Sequence, residues 1–272
     1  MIKEKSKYRI DRLFEKHKGE SKLMSLFLTA GYPDLDSTVE LIVGLAENGA
    51  DMIELGMPFS DPLADGPTIQ HSSNIAIENG VTMNGIFGMV KEIKKQTSIP
   101  IILMGYVNPV LRYGIDKFCA EAAKSGVDGL INPDLPVEES GIIEETAAAN
   151  DLPLIYLVAP NTTDSRMQLI DQKSEGFVYC VSVTGVTGAR DGEEVSQSVN
   201  RFIERVKNNI NKNPKMVGFG IKSYEDAQKI AKDMDGFIVG SALIETIREN
   251  YPQDDWKNKV FAFVRSLKYG EA

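Results

Sequence analysis

Two acids of different setting stand close together in this chain. Glu54 lies near the end of the apolar run Asp51-Met52-Ile53-Glu54-Leu55-Gly56, and Asp61 and Asp65 follow in the loop Met57-Pro58-Phe59-Ser60-Asp61-Pro62-Leu63-Ala64-Asp65-Gly66. A glutamate on an apolar strand is costly unless it is paired or used. Alternation puts Met52, Glu54 and Gly56 on one face and Ile53 and Leu55 on the other. Ile53 and Leu55 suit a helix-covered side, so Glu54 is expected on the inner side. Burial without a cation would raise its pKa and let it hold or move a proton near neutral pH. A buried ion pair with Lys or Arg is the competing reading. A second acid on the adjoining loop suggests acid/base chemistry under a lid, with turn formation by Asp-Pro and Asp-Gly as the plainer alternative for Asp61 and Asp65.

Tyr179 shares the face of Phe177 and Val181 in a later apolar run and is a candidate site residue or a packing residue. The stretch Val183-Thr184-Gly185-Val186-Thr187-Gly188-Ala189-Arg190 that follows is a candidate second lid. Gly218, Gly220 and Gly240 sit at the ends of the last two runs, and Ser241 opens a helical pattern. Glycines there, beside a helix N-terminus, can form a phosphate cradle of backbone N–H groups. Tight turns would use the same residues. Such a cradle needs no large positive charge, which suits a net charge of −9.

What is scarce narrows the chemistry. His17 and His71 are the only histidines, and both read as solvated or capping residues. A histidine triad or a histidine metal site is therefore not expected, and acid/base work falls to carboxylates or tyrosine. Cys119 and Cys180 have no metal spacing and read as reduced core thiols. The acidic balance, with a pI near 4.9, argues against nucleic acid or an anionic membrane as partner. The charged N-terminus lacks an apolar signal segment, and no run reaches the ~20 apolar residues of a membrane span. A cytoplasmic protein is expected.

These residues need a scaffold, and the apolar runs supply one. They are Leu23–Thr29, Asp51–Gly56, Pro100–Gly105, Val127–Asn132, Pro153–Val158, Gly176–Ser182, Lys215–Gly220 and Gly236–Gly240. Each is short, apolar on both alternations and bounded by Gly, Pro or Asn, as parallel strands covered on both faces are. Amphipathic segments lie between them, including Ser37–Asn48, Asp116–Ser125, Glu138–Asn150 and Tyr224–Lys232. Eight strand–helix units in the 272 residues match an α/β fold of the (β/α)8 TIM-barrel type in one domain, residues 1–272. A doubly wound sheet is the alternative, disfavoured by the absence of a GxGxxG turn after the first run. Asn48-Gly49-Ala50-Asp51, Ser125-Gly126-Val127-Asp128 and Met234-Asp235-Gly236 echo one another, each leading into a strand. Lys3–Lys18 reads as an extra N-terminal helix capping the barrel bottom.

Taken together, the motifs closely resemble the tryptophan synthase α subunit family. The matching segments are Glu54 to Gln70, Pro133-Asp134-Leu135-Pro136-Val137-Glu138-Glu139-Ser140, Ser182 to Arg190, Gly218-Phe219-Gly220-Ile221 and Val239-Gly240-Ser241-Ala242. The resemblance implies retro-aldol cleavage of indole-3-glycerol phosphate to indole and glyceraldehyde 3-phosphate, a carbon–carbon lyase reaction. It implies Glu54 as general acid/base, Asp65 as acceptor of the indole N–H that stabilises positive charge on the ring, and Tyr179 beside Glu54. Phe27, Ile69, Tyr106 and Ile131 would wall the indole. Gly188, Gly218, Phe219, Gly220, Gly240 and Ser241 would hold the phosphate, and Thr187 would meet Asp65 on lid closure. No metal and no cofactor is implied for this chain. Pyridoxal phosphate would belong to a β subunit that receives indole in an α2β2 assembly and faces Pro58 and Asp61 in one loop and Asn108 and Pro109 in the next. A stand-alone lyase releasing free indole and a non-catalytic phosphate-binding regulatory subunit are the alternatives.

Overall fold

The run Leu23–Thr29 forms the first strand, β1, over its whole expected length. The computed structural model describes residues 7–17, 22–181, 192–218 and 220–271. The further strands are β2 (Met52–Gly56), β3 (Ile101–Met104), β4 (Gly129–Ile131), β5 (Leu154–Ile155), β6 (Leu157–Val158), β7 (Val178–Val181), β8 (Lys215–Gly218) and β9 (Gly236–Val239). They form one parallel sheet in the order β5-β4-β3-β2-β1-β9-β8-β7-β6. Because β1 pairs with both β2 and β9, first and last strands lie side by side, and an open doubly wound sheet is ruled out.

The fifth expected strand is divided. β5 pairs with β4 and β6 pairs with β7, with Tyr156 between them. The Tyr156 N–H donates to the Ser174 hydroxyl instead of to a strand, while its carbonyl accepts from Tyr179 N–H. One stretch thus serves two neighbours and brings the ring round: eight strand positions, nine segments.

The helices are α1 (Arg9–Lys16), α2 (Ser37–Glu47), α3 (Pro67–Glu78), α4 (Met83–Gln96), α5 (Val107–Tyr113), α6 (Ile115–Ser125), α7 (Glu144–Ala149), α8 (Asp164–Lys173), α9 (Gly192–Asn209), α10 (Tyr224–Ile230), α11 (Ser241–Asn250) and α12 (Trp256–Tyr269). The expected helix Glu138–Asn150 is instead a 3-10 turn, Val137–Ile142, followed by α7. Buried Ser140 bonds back to the Val137 carbonyl and reaches the Glu144 carboxylate, a local competition with the helical ladder. His71 lies inside α3, which begins earlier, at Pro67, a favoured first helical residue.

Two apolar layers explain why the strands read as apolar on both alternations. Outward residues such as Leu26, Leu28, Ile53, Leu55, Ile101 and Leu103 pack against the helices. Inward residues Leu23, Met52, Ile102, Ile131, Ile155, Phe177, Tyr179, Met216 and Ile238 fill the barrel. Helix α1 closes the bottom. Ile10 is fully buried in the inner cluster and Phe14 packs its ring 6.1 Å from that of Phe177. Residues 3–6 and 18 of the expected Lys3–Lys18 helix lie outside the described residues.

The three sequence echoes prove to be one device used three times. Asp51, Asp128 and Asp235 each accept an N–H from the first or second residue of the neighbouring strand, from Met24 (2.7 Å), Ile101 (2.8 Å) and Lys215 (2.8 Å) respectively. Each returns its own N–H to the carbonyl of that same residue. Lysines meet these carboxylates: Lys268 on Asp51, Lys94 on Asp128 and Lys215 on Asp235. Charge-assisted bonds to strand starts fix register at the bottom and leave the opposite rim to the loops.

Candidate active site

The site is built where β2 ends. Glu54 sits between Phe27 on β1 and Ile102 on β3 in register, and its side chain is fully buried. Its one hydrogen-bond partner among the described residues is the hydroxyl of Ser25, which donates to Oε1 at 2.8 Å. Oε2 is buried, with no partner among them. No Lys or Arg among the described residues pairs with it, so the ion-pair reading fails. Burial pushes its pKa from 4.5 up to about 8, with the Ser25 hydroxyl pulling the other way. Such a carboxyl is mostly protonated at neutral pH yet gives up its proton readily, which suits general acid/base work.

Tyr179 reaches the same space from β7. Burial raises its pKa well above 10, and the nearby Glu54 and Asp65 carboxyls raise it further. A side-chain carbon at Gly218 would stand 2.9 Å from the Tyr179 hydroxyl oxygen, so that hydroxyl lies against the end of β8. Phe27 occupies the room left by two glycines: a carbon on Gly56 would come within 2.5 Å of its ring, and one on Gly240 within 3.4 Å of its Cβ. Ile131 is fully buried in the inner wall, in register with Met104 and Ile155.

The loop after β2 folds on itself through turns at Asp61–Leu63 and Pro62–Asp65. Asp65 ends it half-buried. Burial raises its pKa above the ordinary aspartate value, and the Tyr106 hydroxyl draws it partly back. Tyr106 itself, expected only as an apolar wall, is a clamp: its hydroxyl accepts the Ala64 N–H at 2.8 Å while its ring packs 5.4 Å from Phe59. Asp61 is exposed and accepts from the Ser60 hydroxyl. Ile69, on α3, packs with the outer core and stands apart from the inner cluster. Asn108 and Pro109, expected in a loop, fall in the first turn of α5, whose leading N–H from Val107 is accepted by Asp134 at 2.9 Å.

At the far rim, α11 begins at Ser241 after Gly240, with no side chain capping its first N–H groups. Gly220 has φ +57°, the left-handed region that glycine occupies freely. Gly218, Gly220, Gly240 and Ser241 thus line one rim across β8 and β9. Thr187, Gly188 and Phe219 lie outside the described residues, as does the whole of the expected second lid, Val183 to Arg190. Among the described residues, no three His, Cys, Asp or Glu side chains gather as a metal-binding group. Sequence reasoning passed over Ser25. The signal was present: it is a polar residue of β1 on the same parity as Phe27, on the strand next to the one that carries Glu54.

Comparison with known proteins agrees with this geometry. A family model described as tryptophan synthase alpha chain matches residues 14–269. The tryptophan synthase alpha chain of Thermoanaerobacter sp. (strain X514) is 46% identical over 261 residues, covering 96% of this chain and 98% of the relative. That of Geotalea daltonii is 43% identical over 265 residues, covering 97% and 99%. The crystal structure of the tryptophan synthase alpha chain from Legionella pneumophila subsp. pneumophila superposes with a TM-score of 0.86 at 38% identity, over 96% of each chain. A structure of Mycobacterium tuberculosis tryptophan synthase gives 0.86 at 35% identity, over 97% and 98%.

Proposed function

We propose that this chain, which belongs to the tryptophan synthase alpha chain family and cleaves indole-3-glycerol phosphate to indole and glyceraldehyde 3-phosphate, does so with Glu54 as its proton carrier and Asp65 as its electrostatic partner. The observation that carries this assignment is the Glu54 carboxyl: fully buried and, among the described residues, unpaired by any cation, with one oxygen bonded and the other without a partner.

The steps balance without an outside acid or base. Protonated Glu54 delivers its proton to indole C3, and positive charge spreads to the ring nitrogen. The Asp65 carboxylate accepts the N–H and stabilises that charge. The resulting Glu54 carboxylate takes the proton from the glycerol hydroxyl next to the ring. The bond between C3 and that carbon breaks, its electrons neutralise the ring, and the carbonyl of the aldehyde forms. Glu54 ends protonated, as it began. Tyr179 borders both carboxyls and keeps the space between them dry. Phe27, Ile131 and Tyr106 enclose the ring, with Ile69 at its margin.

Gly218, Gly220, Gly240 and Ser241 hold the phosphate together with Gly188 and Phe219, and Thr187 meets Asp65. Ser241→Asp tests this part. A carboxylate at the first helical position suits the helix dipole and so leaves the fold intact, but it meets the phosphate head-on. KM for indole-3-glycerol phosphate should rise about tenfold or more, with thermal melting unchanged. An unchanged KM would place the phosphate elsewhere.

The partner is a β subunit that consumes indole and carries pyridoxal phosphate; this chain needs no cofactor for the steps above. Support comes from the rim beside Glu54, where Leu63 is 95% exposed in the β2 loop and Leu111 46% exposed on α5. Large apolar side chains standing out on one rim, beside Pro58 and Asp61, suit an interface. Both cysteines are buried free thiols, as in a reducing cytoplasm. The decisive experiment measures indole release from indole-3-glycerol phosphate with and without a β subunit. A strong rise in turnover on adding β is expected. High turnover that β leaves unchanged identifies a stand-alone lyase instead.

A further inference from the structure

Ser25 is fully buried in the inner layer of the barrel, between Met52 on β2 and Ile238 on β9 in register. An apolar residue would fill that layer without a hydroxyl to satisfy, and a buried hydroxyl is costly unless it is bonded. The bond it makes is to Glu54 Oε1 at 2.8 Å, while Oε2 has no partner among the described residues. We propose that Ser25 is a positioning residue for the lyase reaction: by donating to Oε1 it fixes the Glu54 side chain and assigns the transferable proton to Oε2, the oxygen left free for the reacting atoms. The proposal rests on Glu54 being the proton carrier.

The environment isolates the effect. Neighbours of Glu54 on the flanking strands, Phe27 and Ile102, are apolar. The other ionisable group facing it is Tyr179 on β7, whose phenol burial keeps neutral and which in turn stands near Asp65 of the loop. Among the described residues Ser25 is thus the one donor that favours the ionised carboxylate, against burial. Its removal makes the carboxyl harder to ionise.

The test is the pH dependence of kcat/KM for indole release, which reports the free enzyme. In Ser25→Ala and Ser25→Val the limb belonging to Glu54 should move about one unit to higher pH, the size of one hydrogen bond to a charged group. The maximal rate should fall about tenfold as the side chain loses its anchor. Ser25→Thr has the shape of valine but keeps the hydroxyl, and should retain the wild-type limb. Valine and threonine variants that shift together would reduce Ser25 to a packing residue, and a limb that stays or moves to lower pH overturns the proposal. Should the two larger side chains prevent folding, Ser25→Ala decides alone. Glu54→Gln separates the two claims. If it still releases indole, the assignment of Glu54 fails; if it is inactive and the Ser25→Ala limb is unmoved, only the role of Ser25 fails.

Discussion

Glu54→Gln should lower kcat for indole release by about a thousandfold or more, the upper range for losing a positioned general acid/base, while binding of the phosphorylated substrate changes little. Glutamine keeps the shape of the side chain, and its carbonyl oxygen can still accept the Ser25 hydroxyl seen on Oε1. It has no proton to deliver to C3 and cannot become a base. Loss is therefore expected in kcat rather than KM. Cleavage that survives this change would sink the mechanism.

The same substitution carries a second, opposite expectation. The Glu54 carboxyl ordinarily titrates at 4.5 and in the folded chain at about 8. Below the lower value it is protonated in both states and costs nothing. Between the two the unfolded chain ionises it and the folded chain does not, so fewer protons are bound on unfolding and stability declines as pH rises. The decline is about 1.4 kcal/mol per pH unit and ends above the folded value. Glutamine has no such term. The variant should match wild type near pH 5 and exceed it by a few kcal/mol at neutral to alkaline pH, read from denaturant unfolding at several pH values. A stability difference that does not change with pH would mean that Glu54 is not held as a protonated buried acid. A dead variant that is the more stable one is the signature of a group kept for chemistry at the expense of the fold.

The sequence made some of this visible and hid the rest for physical reasons. Glu54 stood out because its type conflicts with its apolar run, and period-two alternation alone put it inside the barrel. The Asp51, Asp128 and Asp235 echoes were visible as repetition, but their use is reciprocal bonding to a neighbouring strand, a contact that only the closed sheet creates. The break at Tyr156 was hidden because it depends on Ser174, far along the chain, taking the N–H that a ladder would have used. Tyr106 read as apolar wall because nothing local shows that its hydroxyl will meet Ala64 and Asp65 on another loop. Side-chain parity and local conflict can be read from one strand. Partnerships between strand ends cannot.

Asp65→Ala should cost about a hundredfold to a thousandfold in kcat, the scale for removing a preorganised group aimed at charge that develops in the transition state. The loop turns at Asp61–Leu63 and Pro62–Asp65 run through backbone groups, so alanine leaves them in place. Tyr106 still holds the loop through the Ala64 N–H. What is lost is the carboxylate that faces the ring nitrogen as C3 takes its proton. In its proposed role Asp65 also accepts the N–H in the ground state, so KM should rise as well, but by less than kcat falls, because the neutral ring gains far less from a carboxylate than the cationic one. Asp65→Asn should lose nearly as much rate as alanine, since it can accept the N–H but supplies no charge. Tyr106→Phe gives the counterpart: the charge remains and only its placement loosens, so the loss should be smaller and shared between kcat and KM. A near wild-type rate in Asp65→Ala would return Asp65 to turn formation.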